Sequence, residues 1–149
     1  MYNTLLRQYQ LVISSRESVF KYCEGISNAH LIQPLATINN ESIINQMLHT
    51  ANCYVFWIAN CAMQQHRPYF KNEEHTDLPS VRQVYEQVNL MVNEFLHHFN
   101  NAMELPQVFM RQDGNRIERS PLDIFTHLIT HEFHHKGQIV NMSRQLGYT

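Results

Sequence analysis

The chain has 149 residues, of which 44% are hydrophobic and 16% are charged, a composition that excludes a disordered chain and is typical of one globular domain. Its formal net charge of -2 lacks the basic excess that binding to a phosphate backbone needs, so we expect no nucleic-acid partner. The unusual feature is the 10 histidines, because His is the commonest neutral metal ligand. A domain of this size folds without a metal, so a metal site should serve function.

The three cysteines form no C-x-x-C pair and no even disulfide set, which favours a reducing compartment. The first residues lack the basic stretch and the apolar core of a secretory signal. No window of the sequence approaches the roughly 18 apolar residues of a membrane span. We therefore expect a cytoplasmic protein with no membrane partner.

Helical periodicity predicts the first two long elements. Apolar residues recur at helical spacing over Leu5–Cys23, and this first helix is expected to end near Gly25. A second helix is predicted with Asn39 or Asn40 as its cap and with an apolar stripe over Ile44–Ala62.

The polar stretch Gln64–Asp77 breaks this pattern and is predicted to be a long connection. A third helix opens at Pro79 and has the cleanest periodicity of the chain over Val81–Phe99. The pattern changes again over Gln107–Arg119, where Asp113–Asn115 is predicted to be the turn of a short β-hairpin.

The last helix has a strong start signal, with Ser120 as a capping residue, Pro121 at the first helical position and an acid at Asp123. It should run to about Leu146, with Gly147 as its stop. Four amphipathic segments of roughly twenty residues predict a four-helix bundle, and the long connections between them favour crossover topology.

Four histidines, His127, His131, His134 and His135, fall within a short segment of the last helix. At about 100° per residue, His131, Glu132 and His135 project onto the apolar face, and the other two lie toward its edge. Imidazoles at i and i+4 can both turn a nitrogen toward one ion, so His131 and His135 form a two-ligand half-site. This spacing beside an inward Glu favours metal binding over the alternative of hydrogen-bonded core histidines.

Two familiar metal motifs are excluded. The segment His131–His135 matches the H-E-x-x-H motif of zinc proteases, but those enzymes take a third ligand from downstream, where this chain has no further His, Asp or Glu. The Glu-x-x-His spacing of Glu94–His97 and Glu132–His135 is that of a di-iron bundle. On the helical wheel, however, Glu94 and His97 lie away from the apolar face of their helix and are expected to face solvent.

The third ligand must therefore come from upstream in the chain. Only His49 lies within an apolar helical run, at the edge of its stripe, and periodicity alone leaves its role open. Cys53 and Cys61 lie in the same helix and are predicted to be core-packing residues. The histidines that carry no argument for function are His30, His66, His75, His97 and His98.

The segment His127–Ile139 closely follows the closing pattern H-x-x-x-H-x-x-H-H-[RK]-G-Q of the DinB/YfiT-like superfamily. The chain resembles this family also in a histidine early in the second helix, in the run Leu48–Thr50, and in the short hairpin before the last helix. The resemblance covers the whole chain and implies an all-α, up-down-down-up four-helix bundle as a single domain over residues 1–149. It further implies a divalent metal, zinc or nickel, on His49, His131 and His135.

Characterised relatives include thiol-dependent transferases and isomerases and metal-dependent hydrolases. The resemblance therefore implies a metal-dependent thiol transferase or hydrolase that acts on a small-molecule substrate, with a low-molecular-weight thiol as a further cofactor. Three protein ligands leave one position open, as in catalytic zinc sites. Glu132 is the candidate catalytic proton acceptor or orienter of a ligand imidazole, and its alternative role is a carboxylate bound to the first or second helix. His127 and His134 are candidate donors around the ligands.

Two other functions stay open. In the first, the chain is a non-catalytic metal-binding module that forms a homodimer through an apolar face. In the second, it is a structural bundle without metal. Three aromatic residues of the second helix could line either a pocket or a dimer seam: Tyr54, Phe56 and Trp57.

Overall fold

The computed structural model describes residues 1–149. Four long helices carry the fold: α1 (Tyr2–Cys23), α3 (Ile43–Tyr54), α4 (Leu78–His98) and α5 (Pro121–Gln145), with the single turn α2 (Asn28–Leu31) in the first connection. Strands β1 (Gln107–Met110) and β2 (Arg116–Arg119) pair antiparallel directly before α5. The predicted all-α four-helix bundle with a hairpin before its last helix is confirmed.

The apolar faces of the helices meet in one cluster of 35 buried residues. Helix α3 packs against both α4 and α5, and α1 packs against the same two helices. The seam between α3 and α5 is therefore an internal surface of the bundle, lined by the two helices on which the candidate ligands lie. None of the helices combines the length and the apolar character that crossing a membrane requires.

The start of α3 differs from the prediction. Ser42 caps this helix, because its side-chain oxygen accepts a hydrogen bond from the backbone N–H of Asn45 at 3.1 Å. Asn39 and Asn40, the predicted caps, have left-handed backbone with φ of 50° and 59° and form the turn before the helix. Asparagine tolerates this conformation better than most residues, so these two residues serve the turn and not the cap.

The second half of the predicted second helix is a π-helix over Val55–Ala62 that continues α3. Two asparagines on this continuous element hold the following connection. Asn52 makes paired hydrogen bonds of 2.8 and 2.9 Å with the backbone of Phe70, and Asn60 makes paired bonds of 2.6 and 2.9 Å with that of Arg67. The polar connection is thereby fixed along the outside of the helix.

The end of the chain follows its local signals. Ser120 and Asp123 form a reciprocal capping box at the start of α5, with hydrogen bonds of 2.9 and 3.1 Å. The helix stops before Gly147, whose φ of 92° an L-residue rarely adopts. On α4, Glu94 and His97 are exposed, which agrees with the exclusion of a di-iron site.

Candidate metal centre

His131 and His135 lie one turn apart on the inward face of α5. His135 is buried, His131 is half-buried, and their Nε2 atoms are 3.0 Å apart. Both side chains thus turn the same nitrogen toward one point, as the i, i+4 spacing predicts.

His49 reaches the same point from α3. Its ring centroid lies 4.8 Å from that of His135 and 5.5 Å from that of His131. His49 is exposed, which agrees with its position at the edge of the helical stripe. The three predicted ligands therefore lie together at the seam of α3 and α5, and the cluster is exposed to solvent on the side of His49.

Gln46, which the sequence reasoning missed, orients His135. The Nδ1–H of His135 donates a hydrogen bond of 2.7 Å to Oε1 of Gln46, which is 6% exposed. Because Nδ1 carries the proton, the Nε2 lone pair of His135 is free to face the other histidines. A signal was present in the sequence, since Gln46 is a polar residue within an apolar stripe and lies three residues before His49.

Cys53 is also part of this cluster. Its Sγ lies 3.9 Å from Nε2 of His49 and 3.8 Å from Nε2 of His131, and the three donor atoms all lie within 4.8 Å of one another. The half-buried Cys53 packs against the core, as predicted, but its side chain also faces the histidines, a contact that the prediction did not include. Cys61, at 1% exposure, is a core residue as predicted. The i, i+4 spacing of His49 and Cys53 was the missed signal.

Burial keeps the imidazoles of His131 and His135 neutral at pH 7. Burial, followed by the neighbouring His135 imidazole, lowers the pKa of His131 from 6.5 to about 4. Burial, followed by the His49 imidazole, lowers the pKa of His135 to about 4 as well. A metal ligand must be the neutral imidazole, so the pocket holds both residues in the form that binds an ion.

These residues fit a divalent ion. Ligand nitrogens about 2.0–2.1 Å from a tetrahedral zinc lie about 3.3 Å apart, close to the 3.0 Å between His131 and His135. Imidazole and thiol donors suit zinc or nickel and not the oxygen-preferring magnesium or calcium. Nδ1 of His131 is buried without a hydrogen-bond partner, so the protein does not fix which nitrogen of this ring carries the proton.

His127 and His134 contact the rings of His131 and His135 from the exposed side. The His127 ring stacks on that of His131 at 5.6 Å and meets Trp57 edge-on at 5.5 Å. The His134 ring meets that of His135 edge-on at 5.1 Å. These are contacts between rings, so the expected role of both residues as donors around the ligands stays a prediction.

Glu132 lies inward, as predicted, but its carboxylate points to the neighbouring helices. It accepts hydrogen bonds of 2.7 and 3.0 Å from Arg16 and one of 2.5 Å from the Tyr54 hydroxyl. Arg16 in turn donates to Asn89 at 2.8 Å and to Tyr9 at 3.3 Å. The alternative role, a carboxylate bound to the first and second helices, is the arrangement observed, and catalysis by Glu132 stays a prediction.

A helical bundle with a His and Cys cluster between two of its helices defines a class of protein that can hold a divalent ion. The family model described as "DinB family" matches residues 1–149, and the chain belongs to the DinB family. It is similar in fold to a DinB-like protein from Bacillus cereus ATCC 10987, with 18% sequence identity, a TM-score of 0.68 and coverage of 100% of this chain and 97% of the other. No curated protein matches the sequence.

Proposed function

We propose that this protein binds zinc or nickel at His49, His131 and His135 and acts as a metal-dependent thiol transferase or hydrolase on a small molecule. The observation that carries the proposal is the convergence of three imidazoles from two helices on one point, with Nε2 atoms of two of them 3.0 Å apart. In the metal-free chain the 3.0 Å contact is a hydrogen bond in which Nε2–H of His131 can donate to Nε2 of His135, and a cation that displaces this proton would take both nitrogens as ligands.

The residues around this point have separate tasks. Gln46 fixes the tautomer and the ring plane of His135, and the packing of α3 on α5 sets the approach of His49. Glu132 ties α5 to α1 and α3 through Arg16 and Tyr54, which holds the α5 ligands in register with His49. A divalent ion supplies Lewis acidity that activates a water or a thiol in the open position.

Metal analysis of purified variants tests the site. We expect stoichiometric zinc or nickel in the wild-type protein and loss of the ion in His135→Ala and His131→Ala. His98→Ala, which removes an exposed imidazole from α4, is the matched control and should keep the ion. Full metal retention in His135→Ala would overturn the three-histidine site.

Activity is tested separately with metal-loaded protein, a panel of thiol-conjugation substrates and a panel of hydrolysis substrates. We expect turnover that disappears in the His135→Ala variant and on removal of the metal by a chelator. A second candidate function is a non-catalytic metal-binding module, and the position of Cys53 Sγ 3.8 Å from the His131 nitrogen favours it. Stoichiometric metal without turnover on either panel would support that second function.

A further inference from the structure

We propose that Cys53 is a fourth protein ligand of the ion and binds it through Sγ as a thiolate. This inference rests on the proposed metal site and adds to it a donor that the three-histidine arrangement lacks. The cluster then has two half-sites, His49 with Cys53 on α3 and His131 with His135 on α5, each at i, i+4 spacing.

The distances suit ligation. An ion with nitrogen about 2.05 Å away and sulfur about 2.3 Å away in tetrahedral geometry would set these two ligand atoms about 3.6 Å apart. The Sγ of Cys53 lies 3.9 Å from Nε2 of His49 and 3.8 Å from Nε2 of His131. The excess of about 0.2–0.3 Å is small enough for a modest adjustment of the side chains to remove.

The placement of the sulfur also separates Cys53 from an ordinary core cysteine. Its Sγ has two imidazole nitrogens as neighbours, and both belong to residues proposed as ligands. Cys61, in the π-helix that follows, is buried in the apolar core. The two cysteines therefore differ in their surroundings although they share one continuous helical element.

Binding of Cys53 would be an acid–base step without redox chemistry. Its S–H bond would break, the proton would pass to solvent, and the sulfur lone pair would bind the ion. Four protein groups would then hold the ion, so a water or thiol would have to enter as a fifth ligand or displace the sulfur. A thiolate ligand also favours zinc and nickel over magnesium and manganese.

Cobalt(II) or nickel(II) loading gives a direct readout, because a thiolate bound to either ion absorbs in the near ultraviolet by sulfur-to-metal charge transfer. We expect this band in the loaded wild-type protein and in Cys61→Ala, the matched control. Cys53→Ala and Cys53→Ser should lose the band and still bind the ion through the histidines. A small added thiol should restore the band in Cys53→Ala, because that variant leaves the sulfur position open.

Metal content and absorption together separate the two proposals. Stoichiometric cobalt without the band in the wild-type protein would overturn ligation by Cys53 and leave the three-histidine site intact. A band that persists in folded Cys53→Ser would also overturn it. If neither the wild-type protein nor Cys53→Ser binds the ion, the proposed metal site itself is wrong.

Discussion

Arg16 and Glu132 form a buried ion pair, and its disruption is the sharpest stability test that the structure offers. Their side chains are 7% and 11% exposed, and two hydrogen bonds of 2.7 and 3.0 Å join them. We predict that Arg16→Met strongly destabilises the metal-free protein. The carboxylate of Glu132 would keep only the Tyr54 hydroxyl as a partner and would stay buried without a countercharge.

The expected loss follows from the burial of the pair. Removing one partner of a buried, hydrogen-bonded ion pair costs about 3–5 kcal/mol, because the remaining charge is desolvated and unpaired. For a chain of this length such a loss lowers Tm by about 6–20 °C. A domain in the middle or upper part of the usual range of about 5–15 kcal/mol for the free energy of unfolding stays folded after this loss, so the variant can then be measured.

Arg82 provides the matched control. It makes a similar set of hydrogen bonds, two of 2.7 and 3.0 Å to Glu17 and one of 2.8 Å to Glu24, but all three side chains are at least 32% exposed. Solvent screens exposed pairs, so Arg82→Met should cost at most about 1 kcal/mol.

The assay is equilibrium urea unfolding of both variants at pH 7 with a chelator present, so that metal binding does not contribute. The difference between the two free energies of unfolding isolates the effect of burial, because the residue change is the same at both sites. If Arg16→Met costs no more than Arg82→Met, the buried pair does not hold α5 to α1 as inferred.

Three further outcomes follow from single contacts. Gln46→Leu should weaken metal affinity by about 10–100-fold in a chelator competition, because His135 loses the acceptor of its Nδ1–H. Gln83→Leu, on the exposed face of α4, is the control and should leave the metal affinity unchanged. Folding lowers the pKa values of His131 and His135 from 6.5 to about 4, so between these pH values the unfolded chain binds more protons than the folded chain. The metal-free protein should therefore lose stability as the pH falls from 6.5 to about 4. Urea titrations at pH 7 and pH 5 check this, and a variant with Gln at both positions should show a smaller loss. Ser120→Ala should cost about 0.5–2 kcal/mol in the same unfolding assay, because α5 loses its cap, and an unchanged midpoint would contradict that role.

The last helix could be predicted in detail because its signals are local. The capping pair at Ser120 and Asp123 and the left-handed Gly147 lie within a turn of the ends that they define. His131 and His135 share a face for the same reason, since i, i+4 neighbours of a helix are fixed by its pitch. The pitch brings the two rings to one face, and Gln46 of α3 then turns Nε2 of His135 toward His131.

The second predicted helix shows where local signals fail. Several polar residues near its start can accept a hydrogen bond from the backbone, so Asn39, Asn40 and Ser42 are all possible caps. In the structure Ser42 is the cap, and the two asparagines form the turn before it. The change from α-helix to π-helix at Val55 has no comparable signature in the sequence, because apolar residues continue through it at a helical spacing. Tertiary packing decides such boundaries.

The sequence by itself determined the bundle, the hairpin and the two-histidine half-site on α5, because each rests on periodicity or on residues a few positions apart. Only the tertiary structure decided which groups complete the site. Cys53 and His131 are 78 positions apart, Gln46 and His135 are 89 apart, and Arg16 and Glu132 are 116 apart. These contacts depend on how α1, α3 and α5 pack together, and helix periodicity fixes a face of each helix but not the residue opposite to it.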